Sequence, residues 1–395
     1  MPKLNHTLIK TITVLALVVV FSHLPAPIQA AEIETQAREA ILLDATTNTV
    51  LLNKNADQSM PPASMSKLMT VYLLFESIKD GRVSLDDKFR VSENAWRKGG
   101  SSSGSSTMFL PPNSEVRVED LIQGIVVQSG NDACIVVAEN LAGSEEAFAR
   151  RMTDKARELG LTNSNFVNAT GWPDPEQRMT AHDLARLAMR TIHDFPEFLH
   201  YYGEREFTYN KIHQANRNPL LYGYPGADGL KTGHTTEAGY GLTGTAKQDG
   251  RRLVVVVSGL DSNKLRASES AKLLDWGFRE FGNYALFKAS DTVDTAPVWL
   301  GASPNIEMKI ARDVHITMTK KARRAMKVTV HYKSPIPAPI KAGQQIGTLT
   351  IEAPDFDTIE APLLAAQDVK QLGMFGRLGA ALEFLLWGES SGKTG

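Results

Sequence analysis

Three short polar stretches have the residue types and spacing for acyl transfer: Ser64-Met65-Ser66-Lys67, Ser129-Gly130-Asn131 and Lys231-Thr232-Gly233. A serine hydroxyl is a poor nucleophile near neutral pH and needs a base within hydrogen-bond reach. Lys67 follows Ser64 by three residues, which places it one helical turn away on the same face. An ordinary lysine is protonated and useless as that base. Lys67 must therefore sit in a dry, cation-rich pocket that favours the neutral amine, with Lys231 as the neighbouring positive charge. Ser129 offers a hydroxyl able to pass a proton to a leaving amine. Asn131 offers an amide that either holds a substrate backbone amide or steadies Lys67. Lys231 and Thr232 can bind an anionic terminus, and Gly233 removes a side chain so that an extended substrate can lie along its strand. The backbone N–H groups of Ser64 and His234 then form an oxyanion hole. His234 itself is read as a neighbour of the cleft, because no Asp stands in an obvious orienting position. Arg217 is a second candidate for a substrate carboxylate, since a planar guanidinium suits bidentate pairing.

None of these patterns is informative alone. S-x-x-K recurs at Ser390 to Lys393, K-T-G at Lys393-Thr394-Gly395, and S-x-N at Ser92 to Asn94 and Ser303 to Asn305. The copies around Lys393 fall in a polar, Gly-rich tail with no periodic element to hold a side chain still. The other two are read as turns.

Lys plus Arg number 43 against 44 Asp plus Glu, so no global positive field exists to attract nucleic acid. No metal or other cofactor is expected, because the nine histidines show no ligand-type spacing such as H-E-x-x-H. Residues 1–30 combine a basic start (Lys3, Lys10), an apolar run from Ile12 to Phe21 and small residues at Ala30 and Ala31. That is the pattern of a secretory signal, and export is expected. Cys134 is the only cysteine, so it cannot form an internal disulfide. Within Ala133-Cys134-Ile135-Val136 it reads as a small buried apolar residue.

Elements must hold the three stretches together. Glu39 to Leu43 and Thr49 to Leu52 read as strands joined by a turn, and a helix is expected from near Pro62 to the Lys79-Asp80-Gly81 stop, with Ser64 in its first turn. Val118 to Leu161 has helical apolar spacing broken at Ser129-Gly130-Asn131. Leu230 to His234, Gly239 to Ala246 and Leu253 to Leu260 read as strands. One sheet built from both ends of this region, with helices on its faces, is the economical arrangement. From about Tyr284 the texture changes to short alternating runs (Val314 to Met318, Lys327 to Tyr332, Ile346 to Ile351), the mark of a small all-β domain. Lys320, Lys321, Arg323, Arg324 and Lys327 form a basic cluster there, read as a solvated hairpin. The tail from Lys370 to Trp387 makes a mostly apolar helix interrupted by Arg377 and Glu383, suited to lie in a membrane interface; the competing reading is packing on the protein's own surface.

The stretches Pro62 to Thr70, Phe166 to Asp174 (Phe-Val-Asn-Ala-Thr-Gly-Trp-Pro-Asp) and Asp228 to Thr235, together with the triplet, resemble low-molecular-mass penicillin-binding proteins of the serine D-alanyl-D-alanine carboxypeptidase family. The resemblance covers nearly the whole chain. It implies an α+β fold, an antiparallel sheet flanked by helices, with a second, smaller all-β domain and a C-terminal amphipathic helix. The corresponding ranges are 1–30 for the signal peptide, 31–283 for the catalytic domain, 284–366 for the β domain and 367–395 for the helix and tail. It also implies attack by Ser64 on a peptidoglycan stem peptide ending in D-Ala-D-Ala, acylation by β-lactams, and a location at the periplasmic face of the cytoplasmic membrane. Trp172 departs from the pattern, standing where a smaller aliphatic residue is expected, and the Gly99 to Ser106 loop is unusually Ser- and Gly-rich. A class A β-lactamase would want a glutamate between the second and third motifs, and Leu159 to Pro175 contains none. The same three motifs also suit an endopeptidase that cuts cross-links, and a chain of this layout with a dead site would be a wall-binding or membrane-surface protein.

Overall fold

The computed structural model describes residues 33–379. The segment expected to be a signal, the C-terminal part of the expected tail helix and the motif copies around Lys393 lie outside the described residues. Five strands form an antiparallel sheet in the order Val50–Lys54, Glu39–Asp44, Arg251–Leu260, Gly239–Gln248, Ala227–Thr235. The first two come from the start of the region and the other three from its end, as the strand pattern predicted.

Side chains of a strand alternate between faces, and here the alternation separates two cores. Ile41, Leu43, Val254 and Val256 join the helical core on one face, while Ala40, Leu42, Leu253, Val255 and Val257 pack with Leu273 and Leu274 of the helix Asn263–Glu280 on the other. A strand covered on both faces has no polar side, which explains the unbroken run Leu253 to Val257. The helix Lys67–Lys79 is likewise surrounded: every residue from Lys67 to Phe75 is buried, and the Phe75 ring meets Phe195, Phe198 and Tyr202 at centroid distances of 5.7, 4.8 and 6.1 Å. By contrast, Val118–Val126 buries Val118, Leu121, Ile122 and Ile125, the i, i+3, i+4, i+7 stripe of an amphipathic helix. The helices Asn131–Ala142 and Glu145–Glu158 complete the helical stretch.

Three local expectations are corrected. Ser64 lies in a 3-10 turn, Ala63–Ser66, ahead of the α-helix, because Ala63 has φ +48°, outside the right-handed helical range. Ser92 to Asn94 is no turn. Ser92 Oγ accepts a hydrogen bond from Ala95 N at 2.9 Å and N-caps the helix Glu93–Gly99. The basic cluster is built around a short helix, Lys320–Ala325, capped by Thr319 Oγ1 through Ala322 N at 3.0 Å.

The β region opens with Phe281–Phe287, which pairs with Val314–Thr319. A six-stranded sheet follows in the order Lys327–Tyr332, Gln345–Ala353, Phe356–Ala365, Asn305–Ile310, Thr292–Trp299, Ile336–Pro337. Buried Asp44 ties the two regions together. Its carboxylate accepts from Thr46 N at 2.9 Å, Asn283 Nδ2 at 3.0 Å and Arg251 Nε at 2.6 Å. The Thr47 and Thr317 hydroxyls are also hydrogen-bonded across the junction. Among the described residues no helix is long and apolar enough to cross a membrane.

Candidate active site

The 3-10 turn carrying Ser64 docks against the edge strand Ala227–Thr235. A Cβ on Gly233 would stand 3.0 Å from Pro62 O and 3.2 Å from Ala63 Cβ. Glycine at 233 therefore leaves room for the Ser64 turn to seat against the strand. A second glycine closes the turn from the opposite side. Gly171 has φ +76°, and a Cβ there would lie 1.9 Å from Ala63 O. The loop around Gly171 is fixed by Asn168, whose Oδ1 accepts from Gly171 N at 2.8 Å and Thr170 N at 3.1 Å. Glu145, a carboxyl raised by burial, holds the loop from behind through Ala169 N at 3.2 Å.

Between these walls Lys67 is fully buried, its Nζ 2.8 Å from Ser64 Oγ and donating to Thr170 O at 2.5 Å. Burial is the main force on its pKa, lowering it to about 8; Cys134 and Asp132 oppose the shift, and the Arg217 guanidinium adds to it. Lys231 is pushed well below the ordinary lysine range, first by burial and then by the charges of Lys67 and Arg217. The two amines repel each other's charge in this pocket, and the Arg217 guanidinium acts on both. Cys134 sits buried on the helix Asn131–Ala142 with its thiol pushed up to about 12 by burial, so it stays protonated and inert.

Ser129 occupies the left-handed region at φ +68° in the turn between two helices. Buried Asp132, just after that turn, ties the segment 107–110 to it by accepting from Thr107 Oγ1 at 2.6 Å, Met108 N at 2.9 Å and Leu110 N at 3.1 Å. Ser129 Oγ and Asn131 Oδ1 are buried and make no hydrogen bond within the protein. Uncompensated buried polar atoms are costly, and these two lie at the wall of one cleft of about 990 Å³. Seven of the nine predicted residues line it: Ser64, Ser129, Asn131, Arg217, Thr232, Gly233 and His234. Lys67 and Lys231 lie beneath as its floor, 0 % and 2 % exposed. The His234 ring packs on Tyr240 with centroids 3.9 Å apart and the planes tilted by 33°. Arg217 Nη1 donates to Ser106 Oγ at 2.6 Å, which anchors the Ser-rich loop, and Asn131 N bonds Ser106 O at 2.7 Å.

Arg266 is a site residue that the sequence does not reveal. It is buried beside the edge strand, with Nη1 3.4 Å from Gly233 O and its Nε unpaired, and burial lowers its pKa to about 10. No motif marks it: it is one charged residue of the helix Asn263–Glu280, brought to the cleft by the packing of that helix on the sheet.

The family profile described as D-alanyl-D-alanine carboxypeptidase matches residues 26–262, and that described as penicillin-binding protein 5, C-terminal domain, matches residues 281–371. The chain is 39% identical over 345 residues to D-alanyl-D-alanine carboxypeptidase DacC of Escherichia coli, covering 87% of this chain and 86% of the relative. Its fold is similar to that of penicillin-binding protein 5 from Haemophilus influenzae, with TM-score 0.75 and 34% identity over 87% of this chain and all of that one. Penicillin-binding protein D2 from Listeria monocytogenes, solved in an ampicillin-bound form, is similar with TM-score 0.54 and 30% identity, covering 62% of this chain and 99% of that one.

Proposed function

The chain belongs to the D-alanyl-D-alanine carboxypeptidase family, and from that premise we propose that Ser64 attacks peptidoglycan stem peptides ending in D-Ala-D-Ala and releases the last D-Ala. The protein is a hydrolase, a carboxypeptidase and a penicillin-binding protein that works through an acyl-enzyme. One observation carries the assignment of the nucleophile: the 2.8 Å contact between Ser64 Oγ and a fully buried amine whose pKa is lowered to about 8.

The peptide lies along the free edge of Ala227–Thr235 as an added strand. Neutral Lys67 takes the Ser64 proton as Oγ attacks the carbonyl. The N–H groups of Ser64 and His234 receive the oxyanion. Ser64 N belongs to the start of the 3-10 turn Ala63–Ser66, where the first donors have no partner within the turn. Ser129 passes the proton to the departing amine, Asn131 holds the peptide amide, and water then resolves the acyl-enzyme. Thr232, Arg217 and Arg266 receive the terminal carboxylate, with Lys231 beneath them. β-Lactams enter the same acylation step.

Export through residues 1–30, catalysis by 31–283, a β domain at 284–366 and peripheral attachment by 367–395 to the periplasmic face of the cytoplasmic membrane complete the reading. Residues 374–379 are helical, and Met374, Phe375 and Leu378 are 74, 88 and 62% exposed, an apolar face with no cover among the described residues, which supports the attachment. Removing residues 373–395 is expected to move the protein from the membrane fraction to the soluble one, and retention on the membrane would refute the anchor.

The central test is mass spectrometry after exposure to a β-lactam. The adduct is expected on Ser64, with Ser64→Ala unlabelled yet folded by circular dichroism; an adduct on Ser64→Ala would remove the assignment.

A further inference from the structure

The cleft has two chemically different ends. One is cationic, built from Arg217, Arg266 and the Ser106 hydroxyl, which are joined by hydrogen bonds. The other is built from Trp172 and Pro173 facing Thr236 and Glu237, and Arg178 ties these two sides together: it lies in the same loop segment as Trp172, and its Nη1 donates to Glu237 Oε1 at 3.0 Å. If the terminal carboxylate occupies the cationic end, the rest of the stem peptide leaves past Trp172.

Single exposed apolar side chains are ordinary on a protein surface. Trp172 differs in being 52% exposed on the wall of the reaction cleft with its backbone fixed at both polar atoms. Its N–H donates to Asn168 Oδ1 at 3.2 Å and Thr170 Oγ1 at 3.1 Å, and its carbonyl accepts from Asn168 Nδ2 at 3.0 Å. The preceding residue, Gly171, presses on the carbonyl of Ala63, next to the nucleophile. One residue further on is ~3.8 Å between Cα atoms, and an extended peptide advances ~3.3 Å per residue. The indole is therefore within reach of the residue just upstream of the D-Ala that Ser64 acylates. A rigid, flat, apolar ring so placed matches a long methylene chain.

We propose that Trp172 is a specificity-determining residue whose indole face packs against the side chain immediately upstream of the D-Ala-D-Ala pair, selecting a long, straight chain over a short one. The proposal rests on the acyl-transfer reading above. Glu237 is already paired with Arg178, so chain length is selected and not terminal charge.

The test measures kcat and KM of the full chain on N-acetyl-X-D-Ala-D-Ala with X as glycyl, norleucyl or lysyl. Norleucyl and lysyl substrates are expected to exceed glycyl by about tenfold or more in kcat/KM, and Trp172→Ala to reduce that preference to about twofold or less. Trp172→Phe should retain most of it. Acylation by 6-aminopenicillanic acid, which lacks an acyl side chain, should change by less than about twofold in Trp172→Ala. An equal loss with every substrate and with 6-aminopenicillanic acid would make Trp172 a structural prop and overturn the proposal. So would an unchanged preference, or a lysyl-over-norleucyl preference that survives the substitution. Labelling of Ser64→Ala would instead overturn the acyl-transfer reading itself.

Discussion

The catalytic region and the β region bury different things. Among the described residues, the buried charged side chains Glu39, Asp44, Lys67, Asp132, Asp183, Lys231, Arg266 and Glu269 all precede Phe281, whereas the β region buries only Thr317 and Thr350 among its polar residues. The buried polar atoms without a hydrogen bond, including Ser129 Oγ, Asn131 Oδ1 and Arg266 Nε, also all precede Phe281. A buried amine or unpaired amide destabilises a fold. The difference teaches that the catalytic region holds unfavourable groups in place with a two-faced core, while the β region, free of that demand, buries an almost wholly apolar core.

The largest expected effect breaks the comparison at its centre. Lys67→Ala should lower β-lactam acylation by about 10³-fold or more, since it deletes the base from a unit that acts together. In the wild type the acylation rate should rise with pH through about 8, because the neutral amine becomes the major form above its pKa. The limb should vanish in Lys67→Ala. A limb that persists would mean another group titrates there.

Next comes Gly171→Ala. The added Cβ meets Ala63 O at 1.9 Å in a left-handed backbone, a clash that neither rigid partner can relieve. A loss of roughly 3 kcal/mol in denaturant unfolding is expected, together with slowed acylation, because the same carbonyl borders Ser64. Unchanged stability and acylation would show that this loop does not brace the nucleophile.

The smallest effect on chemistry belongs to the β region. Leu349→Ala removes a fully buried side chain from the β core and should cost about 2–5 kcal/mol there. Acylation below the unfolding transition should stay within about twofold of wild type. A large fall in acylation would show that the two regions share more than the Asp44 junction.

Much of this was legible in the sequence because period-2 and helical patterns are local. The strands Glu39–Asp44 and Arg251–Leu260, the helices flanking Ser129, and the alternating runs beyond Tyr284 all follow from spacing. Misreadings occurred where a backbone conformation or a cap decided the outcome. The left-handed φ of Ala63 delays the α-helix past Ser64, and the Ser92 and Thr319 hydroxyls begin helices where turns were expected.

The sequence by itself determined which groups were available: a serine and a lysine one turn apart, a polar break between helices, and a strand ending in Lys-Thr-Gly-His. Tertiary structure alone decided that Ala227–Thr235 is the edge of its sheet, that Gly171 and Gly233 clamp opposite sides of the Ser64 turn, and that Arg266 reaches the cleft. The physical reason is separation along the chain. Lys67 is buried by residues far from it in sequence, and a base strength set by lost water is a property of the packed surroundings, which no spacing of residues encodes.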